Sequence, residues 1–226
     1  MINKDEWQAN IKPLTILLYT SIALTVFRYY GSAKFYADKF IAENSPASQY
    51  YYFLSSFVLL GLIPVLIWKV GFKHSLKDMG LSFGDTKKSL LIIAVGLPLM
   101  AVMAYFSSKD PSFLAEYPLY RGLAANQGIL PIYILMYSLY YIGWEFYFRG
   151  FMLFGLRESY GEPASILIQT IPSCLLHIGK PDAEIFASIV AGIAFGWLVL
   201  RCRSIWPIFI FHFGLGVFLD LFIIYG

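Results

Sequence analysis

Apolar stretches that are almost free of charged residues alternate with short polar segments along the chain. They cover residues 13–27, 44–68, 89–108, about 128–156, 163–179, 185–200 and 204–219. A helix needs about 20 mostly apolar residues to cross a bilayer, so the pattern predicts seven membrane-spanning helices. The last three stretches are slightly short and need flanking residues or shielding by neighbouring helices. An eighth helix follows if residues 110–127 also enter the membrane.

Glycine and proline lie between the predicted helices, as is typical of the loops that join them. They are found at Gly71, Gly80 and Gly84, in Gly161-Glu162-Pro163, and in Gly179-Lys180-Pro181. No internal repeat and no long linker interrupts the sequence. The predicted fold class is therefore all-α, a polytopic membrane helical bundle of about seven to eight transmembrane helices. Residues 1–127 supply the N-terminal helices and residues 128–226 the core, within one integrated membrane domain.

Composition indicates the bilayer as the main partner of the chain. Hydrophobic residues make up 58% of the 226 positions and charged residues only 14%, whereas a soluble domain carries about 25% charged residues. The net charge of +3 and the lack of a basic block argue against a nucleic-acid partner. Cys174 and Cys202 lie in or beside apolar segments, so we expect reduced thiols rather than a disulfide.

Lysine and arginine are unequally divided between the two sides of the predicted bundle. Ten lie on the N-terminal side, namely Lys4, Lys12, Lys69, Lys73, Lys77, Lys87, Lys88, Arg157, Arg201 and Arg203. Six lie on the opposite side, namely Arg28, Lys34, Lys39, Lys109, Arg121 and Lys180. Cytoplasmic loops carry the excess of positive charge, so we expect a multi-pass protein of a bacterial cell membrane with a cytoplasmic N-terminus.

Two charged residues stand inside the fourth apolar stretch, where no charge precedes Glu145 for 23 residues. An ionisable side chain at the centre of a membrane helix costs about 2.5–3.5 kcal/mol. The four-residue spacing places Glu145 and Arg149 on one helical face, where they can form an ion pair. Such a pair is equally compatible with a structural clamp and with a functional site.

Two of the three histidines, His177 and His212, also fall within predicted helices. A single histidine in a span is more often a packing residue. A carboxylate, a guanidinium and two imidazoles on three helices instead favour one convergent site, because Glu and His exchange protons or polarise water near neutral pH. The catalytic candidates are therefore Glu145, His177 and His212, with Arg149 in support.

Glu184 and Asp220 are further supporting candidates. Glu184 lies in the first turn of the sixth predicted helix, where a carboxylate also complements the helix dipole. It is seven residues from His177, across a short turn, and could reach the same pocket. Asp220 lies near the end of the last predicted helix, and exposure to solvent is the favoured interpretation.

These motifs resemble the CPBP (Abi) intramembrane proteases, the group that includes the CAAX prenyl endopeptidase Rce1 and bacterial relatives. The first motif of that family, Glu-Glu-x-x-x-Arg, is matched by Trp144-Glu145-Phe146-Tyr147-Phe148-Arg149, and its second motif, a helix that ends in His, is matched by His177. The third motif is matched from Gly192 and Gly196 to His212. The similarity covers residues 128–220 well and the N-terminal half loosely.

Two positions depart from the family pattern. Trp144 replaces the first Glu, which in the family is taken as the base that activates water. Gly216 replaces the Asn or Asp that is expected four residues after His212. Either Glu145 carries the chemistry, with Glu184 or Asp220 in support, or proteolysis has been lost.

The resemblance implies a helical bundle around a polar, water-accessible intramembrane cavity. In it, Glu145 and His177 would activate water for attack on a peptide carbonyl, His212 would stabilise the oxyanion, and Arg149 would hold Glu145. A mechanism without metal is favoured, although Glu145, His177 and His212 could together hold zinc with an open position for water.

Three functions therefore stay open. The first is an intramembrane endopeptidase that acts on membrane-bound peptides or proteins, as a CAAX protease does. The second is a non-catalytic bacteriocin-immunity, scaffold or binding protein, which Trp144 and Gly216 favour. The third, a small transporter or proton relay, is less favoured because the repeat symmetry typical of transporters is not visible.

Overall fold

A computed structural model describes residues 4–40 and 45–226, with the side chains of residues 4–9 excepted. These residues contain helices and turns but no strand, which confirms the all-α fold class. The α-helices are α1 (Lys4–Tyr30), α2 (Ala33–Phe40), α3 (Pro46–Ser56), α4 (Ile63–Leu66), α5 (Thr86–Ser107), α6 (Pro111–Glu116), α7 (Leu130–Glu145), α8 (Leu153–Leu175), α9 (Asp182–Cys202) and α10 (Trp206–Tyr225). Wider π-helical turns at Phe57–Leu62 and Ile67–Gly71 extend α3 and α4 into one rod, and a third at Phe146–Met152 joins α7 to α8.

Several helices begin where the sequence supplies a capping side chain. The Ser45 hydroxyl accepts a hydrogen bond from the backbone N–H of Ala47 at the start of α3. The Asp85 carboxylate accepts one from the backbone N–H of Lys88 at the start of α5. Caps of this kind satisfy backbone donors that have no partner inside the helix.

Within the described residues, six helices are long and apolar enough to cross a membrane. They are Asn10–Tyr30, Pro46–Gly71, Thr86–Ser107, Gln127–Leu175, Asp182–Cys202 and Trp206–Tyr225. Large apolar side chains cover their outer faces, for example Leu91 and Val95 on α5 and Val190 on α9. An exposed apolar surface of this extent is what a lipid-facing helix requires.

The helix Gln127–Leu175 contains two of the predicted spans. It has 49 residues, which at 1.5 Å per residue is more than twice the length needed to cross the hydrocarbon core of about 30 Å. The chain turns at Gly161, whose φ of 76° and ψ of 166° are not helical. This break lies between the fourth and fifth predicted stretches, at one of the expected loop glycines.

Contacts between helix ends and turns divide the bundle into two ends. At the first, the Lys12 end, Lys12 pairs with Glu158 at 2.9 Å and lies over the ring of Trp68. The backbone N–H of Ile205 also donates to the carbonyl of Gly80 at this end, at 2.9 Å.

At the other, the Lys180 end, Lys180 pairs with Glu116, and Tyr225 donates to Gln127 at 3.1 Å. Gln127 therefore lies at the Lys180 end, Glu158 at the Lys12 end, and Leu176 again near Lys180, so the helix crosses the bundle twice. The contacts thus reproduce the predicted division into seven segments. The side chain of Lys4 and residue 44, with which the second predicted stretch begins, lie outside the described residues.

Close helix packing through glycine sets the position of α7. A Cβ at Gly143 would lie 2.8 Å from the carbonyl oxygen of Ser56 and 3.0 Å from the Cα of Phe57. Small residues allow such approaches between membrane helices. The rod that contains α3 therefore packs directly against the last turn of α7, which carries Glu145.

Two further contacts join the C-terminal helices to the rest of the bundle. The side-chain amide of Gln169 on α8 donates to the carbonyl of Gly192 on α9 at 2.8 Å. Gly96 on α5 faces the ring of Phe211 on α10, with 2.9 Å between an added Cβ and that ring. Helices from before and after residue 127 thus share one packed core, while the division of the chain at that residue stays a prediction.

Candidate active site

Five polar side chains follow one another at four-residue intervals along α7 and the π-helical turn after it. They are Tyr133, Tyr137, Tyr141, Glu145 and Arg149, and all five are at most 7% exposed. Residues four apart lie one above another on a helix, so the sequence forms a buried polar stripe. On α10, His212, Gly216 and Asp220 repeat the same interval opposite it.

Glu145 lies at the centre of this stripe and is fully buried. Its Oε1 is 2.6 Å from Nδ1 of His212 on α10 and 3.4 Å from Nη1 of Arg149. The predicted Glu145–Arg149 pair is therefore present, and the tertiary structure adds His212 to it. One carboxylate oxygen thus interacts with two cationic or potentially cationic groups.

The second carboxylate oxygen of Glu145, Oε2, is buried and has no hydrogen-bond partner among the described residues. An unpaired buried acceptor costs about 1–3 kcal/mol, and such a group in a native structure needs an explanation. It leaves one face of the carboxylate able to accept a proton or to bind water.

His177 follows the end of α8 and is partly buried. Its Nδ1 lies 2.7 Å from the carbonyl oxygen of Ser173, which leaves Nε2 as the nitrogen not used in that bond. The ring stands edge-on to the indole of Trp144, with 5.5 Å between centroids. His177 makes no direct hydrogen bond to Glu145, but it is close enough to Glu145 and His212 for their charges to interact.

Trp144 lines a cavity of about 380 Å³ at the Lys180 end, as do Leu176 and Ile178, the chain neighbours of His177. The indole packs against Tyr140 and Phe148 and is 3% exposed. The charged side chains that line the cavity are Arg28, Glu116, Arg121 and Lys180. Glu145, His177 and His212 are not among the residues that line this cavity, so it is not the polar cavity that was expected to enclose them.

Glu184 also lies near the site. The phenol of Tyr117 donates to both of its carboxylate oxygens, at 2.8 and 2.9 Å. Burial and the neighbouring Glu184 carboxylate raise the pKa of Tyr117 well above its ordinary value, so this phenol stays protonated and acts as a donor. Glu184 is also close enough to His212 for their charges to interact, but it does not contact Glu145.

The expectation that Asp220 faces solvent is wrong. The side chain is 3% exposed, because α10 turns this position toward α7, where Tyr133 donates to Oδ2 at 3.2 Å. Oδ1 is buried and has no partner among the described residues. Asp220 lies two helical turns from His212 and contacts none of the catalytic candidates.

The sequence alone does not single out Tyr137 and Tyr141 as site residues. Their hydroxyls are 3.2 Å apart, and the ring of Tyr141 stands edge-on to His212 with 4.8 Å between centroids. The signal was present in the four-residue spacing that leads from Tyr133 to Glu145. In a chain with 17 tyrosines, this spacing is hard to distinguish from ordinary packing.

A zinc ion at this site would be held by Glu145, His177 and His212. Among the described residues, no group of three or more His, Cys, Asp or Glu side chains is arranged to hold a metal ion. Nδ1 of each histidine is already engaged by an oxygen of the protein.

Fold and site together define a multi-pass helical membrane protein with a buried carboxylate between a guanidinium and an imidazole. A family model described as Type II CAAX prenyl endopeptidase Rce1-like matches residues 126–218, a range that contains Glu145, His177 and His212. The resemblance to this family is thus confirmed over the matched residues, and it supports a CAAX-protease-like membrane peptidase at the level of the family. Neither the search of curated proteins nor the search of solved structures found a match.

Proposed function

We propose that the protein is an intramembrane endopeptidase in which Glu145 activates water to hydrolyse a peptide bond. One observation carries the proposal: Glu145 is completely buried, Arg149 and His212 hold Oε1, and Oε2 has no partner among the described residues. A carboxylate that serves only as a clamp would be expected to use both oxygens. The free oxygen is available to accept a proton from water.

The charges around Glu145 suit the chemistry. When His212 is protonated, Arg149, His212 and Glu145 carry a combined charge of +1 in a buried site. Attack of water on a peptide carbonyl creates one negative charge on the carbonyl oxygen, and fixed donors aimed at that oxygen supply the largest electrostatic contribution in acyl transfer. Nε2 of His212, which is not used by Glu145, is the donor assigned to this oxygen.

Protons move by a short route in this scheme. Oε2 of Glu145 takes the proton of the attacking water, while Nε2 of His177 accepts a hydrogen bond from the same water and orients it. The proton on Glu145 then passes to the leaving amine as the C–N bond breaks. His177 and His212 are partly exposed and Glu145 is not, so a substrate carbonyl meets the imidazoles first.

The substrate proposed is a membrane-bound peptide or protein, of the kind that a CAAX protease cleaves. Its entry route is the cavity of about 380 Å³ at the Lys180 end, next to Trp144 and His177. The protein would lie in a bacterial cell membrane with its N-terminus, at the Lys12 end, in the cytoplasm. Glu184 and Asp220 would be supporting residues that do not contact Glu145.

Trp144 favours a second function, that of a non-catalytic binding, scaffold or immunity protein. The indole lines the cavity and packs edge-on against His177, at the position where the family has the first glutamate of its pair. A ligand could then occupy the cavity without reaching Glu145.

The test uses full-length protein in detergent and a panel of prenylated and unprenylated peptides. We expect cleavage by the wild type that is lost in Glu145→Gln and His177→Ala. Matched controls are Glu158→Gln, a carboxylate that is 71% exposed, and His74→Ala in a loop, which should both keep wild-type activity. Folded Glu145→Gln protein that still cleaves would overturn the proposal, as would a wild type that cleaves nothing.

Two additions separate the remaining alternatives. Metal analysis of the purified protein, with activity measured before and after chelator, distinguishes a zinc mechanism from a glutamate mechanism, for which we expect no metal dependence. Trp144→Glu restores the two-glutamate motif. Activity in this variant together with an inactive wild type would support the non-catalytic function.

A further inference from the structure

Tyr141 lies one helical turn before Glu145 and directly beside His212. Its ring stands edge-on to the imidazole, with 4.8 Å between centroids and 72° between planes. The residue is 7% exposed. The side chain that precedes the proposed base on the same helical face therefore packs on the histidine that holds this base.

The hydroxyl of Tyr141 lies against the backbone of α10, one turn beyond His212. A Cβ at Gly216 would overlap this hydroxyl and would stand 3.0 Å from the hydroxyl of Tyr137. Two phenol oxygens thus occupy the space that any larger residue at position 216 would fill. Glycine at this position allows the hydroxyls to sit next to the His212 turn.

The two hydroxyls are 3.2 Å apart and form a hydrogen bond in which either oxygen can donate. A phenol has one proton to donate, and its oxygen can also accept. When Tyr137 donates to Tyr141, the Tyr141 proton is available to a third group. In a buried site of low polarity, a hydrogen bond from such a fixed donor is stronger than it would be in water.

We infer that Tyr141 is a second oxyanion donor, whose phenol proton hydrogen-bonds the tetrahedral oxyanion of a peptide carbonyl beside His212. Tyr137 is a positioning residue that acts through Tyr141. The inference rests on the proposed function, since an oxyanion forms only if the protein hydrolyses an acyl bond. It goes beyond that function because it adds a second oxyanion donor. The imidazole of His212 is joined by a neutral phenol on a different helix.

The experiment compares Tyr141→Phe with Tyr140→Phe in the full-length protein, with a peptide that the wild type cleaves. Each variant removes one phenol oxygen from α7, and the Tyr140 hydroxyl faces Tyr52 instead of α10. We expect Tyr141→Phe to lower kcat by about 10²–10³-fold, as the loss of one oxyanion donor does, with KM little changed. Tyr140→Phe should keep the wild-type kcat.

Tyr137→Phe provides a second variant, which tests the inference even if Tyr141→Phe does not fold. It leaves Tyr141 in place and removes its hydrogen-bond partner, so we expect a smaller loss of kcat than in Tyr141→Phe. Unchanged kcat in Tyr141→Phe or Tyr137→Phe, or a change in KM alone, would overturn the inference and leave the proposed function intact. A wild type without any cleavage would overturn both.

Discussion

Glu145 and Arg149 each need the other, because both are almost completely removed from water. Arg149 is 2% exposed and packs over the rings of Phe148 and Phe195, with its guanidinium carbon 5.8 and 5.4 Å from their centroids. Two buried charges lose their hydration, and the loss is offset only while both partners stay in place. At the scale of single residues, the pair is therefore both a structural requirement and the support of the proposed base.

Removing one member of this pair should show how strongly the stability of the fold depends on it. We expect Arg149→Met to reduce the free energy of unfolding by about 3–5 kcal/mol, because it removes the guanidinium from the buried Glu145 charge. The double variant Glu145→Gln/Arg149→Met should recover part of this loss. Chemical unfolding in detergent micelles provides the measurement.

Arg201→Met serves as the control for that experiment, since Arg201 is an exposed cation that packs on Trp197. Surface substitutions usually change stability by less than about 0.5 kcal/mol. Equal stability of Arg149→Met and Arg201→Met would show that the buried pair contributes nothing to the fold.

At the scale of helices, the bend at Gly161 determines where His177 lies relative to Glu145. It turns the chain back so that α8 ends at the Lys180 end, where His177 meets Trp144. Without the bend, α8 would continue away from α7 and His177 would lie far from Glu145. The backbone at Gly161 adopts a conformation that is essentially restricted to glycine.

A side chain at position 161 should therefore be unfavourable for conformational reasons alone. No atom lies within 4 Å of a Cβ built there, so Gly161→Ala introduces no clash. We expect it to destabilise the protein by about 1–3 kcal/mol, the range for a residue held in such a backbone region. Thermal unfolding of the purified protein measures the effect.

Gly128→Ala is the matched control, because its Cβ would make one ordinary contact at 3.7 Å and its φ is not in the left-handed range. It should leave the unfolding temperature close to that of the wild type. A Gly161→Ala variant as stable as Gly128→Ala would contradict the role assigned to the bend.

At the scale of the whole molecule, the two ends of the bundle differ in charge and in the presence of the cavity. The Lys12 end carries the larger share of lysine and arginine, and the Lys180 end contains the cavity next to Trp144. If the Lys12 end is cytoplasmic, the cavity opens toward the outer face of the membrane. The orientation therefore decides from which side a substrate would enter.

Labelling of single cysteines tests this orientation. In a chain with Cys174 and Cys202 replaced by alanine, cysteine is introduced at Lys109 or at Lys77, both exposed. We expect a membrane-impermeant maleimide to label the Lys109→Cys variant in intact cells and the Lys77→Cys variant only after permeabilisation. The reverse pattern would show that the N-terminus lies outside the cytoplasm.

Much of this organisation can be predicted from the amino-acid sequence alone. The lengths of the apolar stretches determined the membrane class and the seven segments, because the thickness of a bilayer sets the length of its helices. Helical periodicity placed Glu145 and Arg149 on one face, and glycine at position 161 marked the bend. The rarity of ionisable residues in these stretches also singled out His177 and His212.

The tertiary structure alone decided which groups touch. It placed His212 rather than His177 on Glu145, buried Asp220 against Tyr133, and set the Tyr141 hydroxyl beside Gly216. Contacts between helices depend on how each helix is rotated and on how closely the backbones approach. Both depend on which side chains fit against which glycines across the whole bundle. A periodic pattern reports the face of one helix, but the neighbour that meets this face is settled only when all the helices pack together.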